Sequence, residues 1–323
     1  MNKKRKKIIQ NNGISEIAIY SLAGYRQKIL MEGKKATNPV VIFLHGGPGV
    51  PFPFCAGSRG MFPEFTDKFI MVYWDQLGCG INNCRLDKNF KINNFVNMTI
   101  DLVTKVKKKF PENQITLFGI SWGSILAAKA AEKAPHLVDK VLIYGQVLKE
   151  LAFNEETFGT LLNAKMSEKK KRQLKSMWEK EPKTIEDLEK VMGWIRKYTD
   201  GYLSKEGEKM SLSKLLLGIL NSPDYTLKDA RAAIINRSMR NRGLLTDLMN
   251  VNLTEELKNM QVPYRILQGD TDSVTSTMMV KSFVNNSKNS NLSAKIIERS
   301  GHIPSMEGMQ QILKEADLFL EIK

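Results

Sequence analysis

The segment QITLFGISWGSILAAKAAEKAP (114–135) decides how this sequence folds. QITLFG is an apolar run of strand length, and SWGSILAAKAAEKAP is an alanine-rich helix that ends at a proline. Between them stands a G-x-S-x-G motif, whose tight turn projects the Ser121 hydroxyl above the end of the strand. The helix N-terminus beneath that serine favours negative charge developing on a bound oxygen. Ser121 is therefore the candidate nucleophile.

Strands and helices alternate on both sides of this segment. Helices are expected at 97–110, 275–286 and 305–321, a strand at 294–298 and a hairpin at 15–33. This alternation predicts an α/β fold with a mostly parallel central sheet and helices on both faces. The other buried strands are predicted at the apolar runs PVVIFL (39–44), FIMVYWD (69–75), VLIYG (141–145) and VPYRILQGD (262–270).

One long segment departs from the alternation. Residues 146–255 are rich in Lys, Glu and Leu with helical periodicity, and no convincing buried strand interrupts them. We expect an inserted α-helical cap there, which splits the catalytic α/β domain into 13–145 and 256–323. The basic start of the chain, residues 1–12, is expected to be a flexible tail.

Only three histidines are available as a general base for Ser121. His45 lies on a turn after a strand, and His136 ends the helix that follows Ser121, away from the carboxyl edge of the sheet. His302 lies on the loop between the last strand and the last helix, and that loop opens at the same edge as Ser121. His302 is therefore the candidate base.

The acid that would orient His302 should follow the preceding strand, where the sequence reads Gly-Asp-Thr-Asp over 269–272. Asp272, three residues past the glycine, is the preferred candidate. Asp270 stands closer to the strand and is better placed to close the turn, and it remains the alternative. The order Ser121, Asp272, His302 is the order of α/β-hydrolase triads.

A glycine-rich turn, HGGPG (45–49), follows the strand predicted at 39–44. Because glycine has no Cβ, such a turn can aim a backbone N–H at an oxyanion beside the nucleophile. Gly47 is the preferred donor and Gly46 the alternative. The N–H of Trp122, the residue after the nucleophile, supplies the second donor of this expected oxyanion hole.

The net charge of +15 does not by itself indicate a nucleic-acid partner. Five of the positive charges stand within the first seven residues, and the dense run EKKKRQLK (168–175) has helical spacing without interleaved aromatic residues. Base stacking would require such aromatic residues, so we expect no nucleic-acid partner. The longest apolar runs have strand length, and no membrane span is expected.

Three cysteines are too few for a disulfide framework, and none stands in a C-x-x-C pair. This favours a reducing, cytoplasmic location. Three scattered histidines and unpaired cysteines also predict no metal site. We expect no cofactor.

Five motifs together resemble the proline iminopeptidase branch of the α/β-hydrolase superfamily: HGGPG (45–49), WDQLGCG (74–80), GISWGS (119–124), GDTD (269–272) and SGH (300–302). The resemblance implies a serine exopeptidase that removes an N-terminal residue, often proline, from small peptides. It also implies a helical cap that roofs the site and selects substrates.

The sequence departs from that branch at several positions. Leu77 and Asn82 replace the arginine and serine of the branch, Ile120 stands where glycine or histidine is usual, and Ser273 follows Asp272 where an acid would bind a free amine. Recognition of an N-terminal amine would then depend on acids of the cap. A carboxylesterase or lipase-like hydrolase of small esters or amides shares the same core motifs and is the alternative. The candidate amine-binding cap acids are Glu155, Glu156 and Glu206, with Asp200 and Glu208 as further acids of that segment.

Overall fold

A computed structural model describes residues 3–208, 212–235 and 241–320. Within these ranges, eight strands form one sheet in the order β1-β2-β4-β3-β5-β6-β7-β8. The strands are β1 (Ile14–Leu22), β2 (Tyr25–Gly33), β3 (Val40–Leu44), β4 (Ile70–Tyr73), β5 (Ile115–Ile120), β6 (Lys140–Tyr144), β7 (Tyr264–Gly269) and β8 (Leu292–Ile297).

The sheet is mostly parallel. Strands β1 and β2 form the predicted antiparallel hairpin, and β2 is antiparallel to β4. Every other pair, from β4–β3 through β7–β8, is parallel. The loops that follow β3, β5, β7 and β8 therefore meet at one edge of the sheet, where ligands bind in open α/β folds.

Helices cover both faces of the sheet, as predicted. Apolar side chains of α3 and α4 pack on one face in the larger core, and those of α2 and α13 pack on the other. The helices are α1 (Lys3–Gln10), α2 (Pro63–Lys68), α3 (Ile92–Lys109), α4 (Trp122–Lys133), α5 (Glu155–Asn163), α6 (Glu168–Glu179), α7 (Ile185–Tyr198), α8 (Leu212–Leu220), α9 (Leu227–Ile234), α10 (Arg242–Met249), α11 (Thr254–Lys258), α12 (Thr277–Asn286) and α13 (Met306–Leu320).

Helices α5 to α11 lie between β6 and β7. The segment predicted as the cap contains α5 to α10, and α11 crosses its end at residue 255. Side chains of α5, α6 and α7, including Leu161, Leu174 and Val191, share a smaller apolar core with Val274, which follows β7. Leu244 and Leu248 of α10 instead pack in the larger core with the catalytic domain. We keep 146–255 as the proposed cap, with its last helix packed against the α/β domain.

The start of the chain differs from the predicted flexible tail. Residues of α1 are helical, and the Arg5 side chain is buried. Its guanidinium donates hydrogen bonds to the backbone carbonyl oxygens of Gly57 (2.7 Å), Gly218 (2.6 Å) and Arg59. The difference has a physical cause. The three carbonyl oxygens satisfy the buried guanidinium of Arg5, while the neighbouring lysine side chains are exposed. Residues 1 and 2 of the predicted tail lie outside the described residues.

Candidate active site

Ser121 forms the sharp turn between β5 and α4. Its φ of 52° and ψ of −116° place a non-glycine residue in a strained conformation, which costs about 1–3 kcal/mol. The flanking glycines make the turn possible. A Cβ on Gly123 would lie 1.9 Å from the carbonyl oxygen of Leu44, and one on Gly119 would lie 2.6 Å from that of Gly123. The serine hydroxyl is thereby held at the carboxyl edge of the sheet.

The predicted nucleophile, base and acid meet at this edge. His302, on the loop after β8, has its Nε2 2.9 Å from Ser121 Oγ, and its Nδ1 is 3.0 Å from Asp272 Oδ2. Asp272 and His302 are buried, and Ser121 is half-buried. Because a carboxylate only accepts hydrogen bonds, Nδ1–H donates to Asp272 and Nε2 is left to accept from the serine hydroxyl.

Asp272 is held by several donors besides His302. Its Oδ1 accepts from the backbone N–H groups of Val274 (2.9 Å) and Thr275 (3.1 Å). Its Oδ2 accepts from the Thr275 hydroxyl (2.7 Å) and from Nε2 of Gln268 (3.0 Å). The carboxylate is therefore fixed in orientation with one oxygen towards the imidazole.

Asp270, the alternative acid, has a different set of partners. Its carboxylate accepts from the backbone N–H groups of Arg299 (2.8 Å) and Ser300 (2.9 Å). It thus joins the loop after β7 to the loop that carries His302. The structure brings Asp272, and not Asp270, to the imidazole.

The glycine turn after β3 lies beside the nucleophile. A Cβ on Gly46 would be 3.6 Å from Ser121 Cβ, and Gly47 has a φ of +123°, which favours glycine. Trp122 is the first residue of α4, so its N–H has no partner within the helix. These positions suit the backbone N–H donors predicted from the sequence.

Gln76 holds the glycine turn 45–49 in place through hydrogen bonds. This role was not predicted from the sequence. Its backbone N–H donates to His45 Nε2 (3.0 Å), and its side-chain Nε2 donates to the His45 carbonyl oxygen (3.2 Å). Its Oε1 accepts from the indole Nε1 of Trp122 (2.8 Å). Burial lowers the pKa of His45 to about 4, so the imidazole is neutral at pH 7. The motif WDQLGCG could have pointed to this residue, because it places Gln76 on the loop after β4.

Asp75, next to Gln76, connects the site loops to the cap. Its buried carboxylate accepts from the N–H groups of Ala56 (3.0 Å) and Ile81 (2.9 Å) and from the hydroxyl of Tyr225. Burial raises the pKa of Asp75, and these hydrogen bonds oppose that shift. This contact could not be predicted from the sequence, because Tyr225 is 150 residues away.

The departures from the family motifs have structural roles. The amide of Asn82 donates to the carbonyl oxygens of Lys28 and Asp75 (both 2.8 Å) and accepts from the N–H of Lys28 (2.7 Å). It thereby ties β2 to the loop after β4. Leu77 is buried in the larger core.

Of the three candidate amine-binding acids, one is engaged by other residues and two are exposed. Glu156 Oε2 accepts from the Ser276 hydroxyl (2.8 Å) and from the N–H of Met278 (3.0 Å), at the N-terminus of α12. Glu155 and Glu206 are exposed. Glu156 is therefore engaged in holding α12 rather than free to meet a substrate.

A cap segment, 200–203, lies against both loops of the site. The carbonyl oxygen of Gly201 accepts from the N–H of His302 (3.0 Å), and that of Asp200 accepts from the Thr271 hydroxyl (2.9 Å). The ring of Tyr202 lies 5.9 Å from the imidazole of His302, centroid to centroid. Residues 200–202 therefore lie directly against the loop that carries His302.

Two surface clefts lie away from this site. One of about 880 Å³ borders α12 and the turn before β8, and one of about 640 Å³ lies between α4 and α10. Neither is lined by Ser121, Asp272 or His302. Within the described ranges, no three His, Cys, Asp or Glu side chains gather as metal ligands would. No helix in that part of the chain is long and apolar enough to cross a membrane.

The chain belongs to the α/β-hydrolase fold family, whose sequence profile matches residues 39–308. It is 22% identical over 307 residues to the probable aminopeptidase YbaC of Bacillus subtilis strain 168, covering 93% of this chain and 94% of that protein. The proline iminopeptidase of Neisseria gonorrhoeae is 38% identical over 112 residues, 32% of each chain.

The crystal structure of proline iminopeptidase from Mycobacterium smegmatis has the same fold. Its TM-score is 0.64 at 13% identity, covering 94% of this chain and 97% of that one. The resemblance to the proline iminopeptidase-like branch is confirmed, and the chain is an enzyme of the α/β-hydrolase fold.

Proposed function

We propose that this protein is a serine hydrolase that works through an acyl-enzyme. The observation that carries the proposal is the hydrogen-bond chain from Ser121 Oγ through His302 to Asp272, with distances of 2.9 and 3.0 Å. Such distances allow a hydroxyl proton to pass to an imidazole. Ser121 is the nucleophile, His302 is the general base, and Asp272 holds the imidazole in the required tautomer.

The reaction proceeds in two halves. Ser121 Oγ attacks the substrate carbonyl carbon while His302 Nε2 accepts the hydroxyl proton. The backbone N–H groups of Trp122 and of Gly47, or Gly46 in its place, stabilise the resulting oxyanion. His302 then gives the proton to the leaving amine or alcohol as its bond to the acyl carbon breaks. Water, activated by His302, releases the acid and restores the serine hydroxyl.

The proposed substrate is a short peptide or small molecule from which an N-terminal residue, often proline, is released. The full-length similarity to a probable aminopeptidase and the local similarity to a proline iminopeptidase support this choice. Such a substrate carries an ammonium group, which is costly to bury without a negative partner. Among the acids considered, Glu155 and Glu206 remain the candidates for that partner.

Hydrolysis of small esters or amides by a carboxylesterase or lipase-like enzyme is the second candidate. The position of Glu156 favours it, because its carboxylate is occupied by Ser276 and Met278. An uncharged ester needs no carboxylate in the cap. The cap would then serve as a pocket for the acyl chain.

A comparison of three substrates separates these functions. We would measure kcat/KM on proline β-naphthylamide, on its N-acetylated form and on p-nitrophenyl butyrate. Strong turnover of the free amine that is lost on acetylation is the result expected of an aminopeptidase. Turnover of the ester alone would contradict the aminopeptidase and leave the esterase.

A further inference from the structure

Gln268 is a buried glutamine on β7 whose amide makes contacts in two directions. Its Nε2 donates to Asp272 Oδ2 and to the hydroxyl of Thr275, both at 3.0 Å. Its Oε1 accepts from the backbone N–H of Gln146 at 3.1 Å. Both amide hydrogens and the carbonyl oxygen are therefore paired, as a polar group without solvent contact requires.

The hydrogen bonds continue from Gln146 towards the nucleophile. The side chain of Gln146 accepts from the hydroxyl of Tyr264 (2.6 Å), and its Nε2 lies 3.4 Å from Ser124 Oγ. The N–H of Ser124 in turn donates to the carbonyl oxygen of Ser121 (2.8 Å). All the side chains in this chain of contacts from Gln268 to Ser124 are buried.

These partners fix the orientation of the Gln268 amide. A flipped amide would place its oxygen against Asp272 Oδ2, two acceptors together, and its NH₂ group against the N–H of Gln146, two donors together. Only one orientation satisfies every atom. The amide is thus a rigid donor to the carboxylate oxygen that also faces His302.

We propose that Gln268, with Thr275, is a positioning residue for Asp272. This inference rests on the proposed catalytic role of Asp272 and extends it to the groups that hold the carboxylate. The two donors keep Oδ2 aligned with His302 and draw part of its negative charge away from the imidazole. Both side chains are buried behind the carboxylate, so their role is to hold Asp272 rather than to bind substrate.

Loss of either donor has a definite electrostatic consequence. With fewer donors on Oδ2, more negative charge remains to stabilise the protonated imidazole of His302. A protonated His302 cannot accept the proton of Ser121, so the acidic limb of the kcat/KM profile moves to higher pH. A purely structural role would lower stability without moving that limb.

The first test replaces Gln268 by methionine, which has a similar length and no amide. For Gln268→Met we expect a loss of kcat of about 10-fold to 100-fold, a nearly unchanged KM and an acidic limb at higher pH. The matched control is Gln27→Met. Gln27 is also a buried glutamine, and it bonds Trp74 and Met98 rather than the site. The control should keep the wild-type pH profile.

The second test uses the partner hydroxyl and does not depend on the folding of Gln268→Met. Thr275→Val removes the donor and should shift the acidic limb in the same direction, whereas Thr275→Ser keeps a hydroxyl and should recover at least part of the loss. Wild-type profiles for Gln268→Met and Thr275→Val would overturn the inference. So would equal losses in Gln268→Met and Gln27→Met without a shift.

The outcome also separates this inference from the proposed function. If the wild type hydrolyses substrate and Ser121→Ala does not, the acyl-enzyme proposal stands whatever Gln268→Met does. If Ser121→Ala retains full turnover, the proposed function fails on its own, before any Gln268 variant is considered.

Discussion

At the scale of single residues, Asp272 and Asp270 stand two positions apart and have different partners. Asp272 contacts His302, whereas Asp270 binds backbone N–H groups of the neighbouring loop. Asp272→Asn should lower kcat by about 1,000-fold or more, because an amide in its place disturbs the tautomer of the imidazole. Asp270→Asn keeps an acceptor oxygen for only one of the two backbone N–H groups, which weakens a contact between loops rather than the contact to His302, and should cost less than about 10-fold. Steady-state kinetics on both variants would check this, and the reverse ranking would assign the acid to Asp270.

His45 predicts how stability depends on pH. Its pKa is about 4 in the folded protein, below the ordinary value of 6.5, so the folded state resists protonation that the unfolded chain accepts. Stability is therefore fully present above about pH 6.5 and falls as the pH decreases towards 4, by about 3 kcal/mol from this group. Urea unfolding at pH 7.5 and 4.5 should show this fall in the wild type and a smaller fall in His45→Gln. Equal falls would contradict the assignment.

Candidate catalytic residues could be identified from the sequence where a motif or a process of elimination pointed to them. Ser121 followed from its flanking glycines, and His302 followed from elimination among three histidines. Gln268 and Gln76 could not be found in this way. Each is one polar residue at the end of an apolar strand, and its partners come from distant segments that only the folded sheet brings together.

Within the helices, two glycines lie in very different surroundings, one in close backbone contact and one on an open helix surface. A Cβ at Gly123 would lie 1.9 Å from the Leu44 carbonyl oxygen, whereas one at Gly193 in α7 would have no atom within 4 Å. Gly123→Ala should destabilise the protein by more than about 3 kcal/mol, since backbone must move. Gly193→Ala should stabilise it by about 0.5–1 kcal/mol through helix propensity. Urea midpoints measure both, and a Gly123→Ala protein of wild-type stability would contradict the turn geometry.

The Arg5 side chain joins helix α1 to three carbonyl groups elsewhere in the molecule. Arg5 donates to carbonyl oxygens of Gly57, Arg59 and, in α8 of the cap segment, Gly218. Arg5→Met should lower the free energy of unfolding by about 2 kcal/mol, because those carbonyls lose a charged donor. Lys6→Met, at an exposed position of the same helix, should have little effect. Thermal unfolding of the two variants would check the difference, and equal effects would show that α1 is not held through Arg5.

Strands β3 to β6 could be predicted from the sequence because each is a short, mainly apolar run that ends at glycines or a polar turn. The first residues of the helices were harder to predict. Helix α3 begins at Ile92, five residues before the predicted start, where Asn94 accepts the N–H of Lys91 (2.8 Å). Helix α1 was missed because its lysines indicate a solvated tail, and the carbonyls that bind Arg5 come from distant segments of the chain.

At the scale of the whole molecule, the cap segment contacts the α/β core at the loops that carry the candidate chemistry. Tyr225 bonds Asp75 beneath one side of the site, and Gly201 bonds the backbone of His302 on the other. Composition predicted a helical segment at this place in the chain, but not these contacts, which join residues far apart in sequence. Substrate choice should therefore depend on residues at 200–203 and around Tyr225.

The proposed function depends on Ser121 as the nucleophile of an acyl-enzyme. Its most direct test is labelling with a fluorophosphonate probe, followed by mass spectrometry of the peptides. We predict one equivalent of label on Ser121 in the wild type, none in Ser121→Ala, and slow labelling in Asp272→Asn, because the probe reacts only with an activated hydroxyl. An unlabelled wild-type protein, or label that persists in Ser121→Ala, would contradict the account.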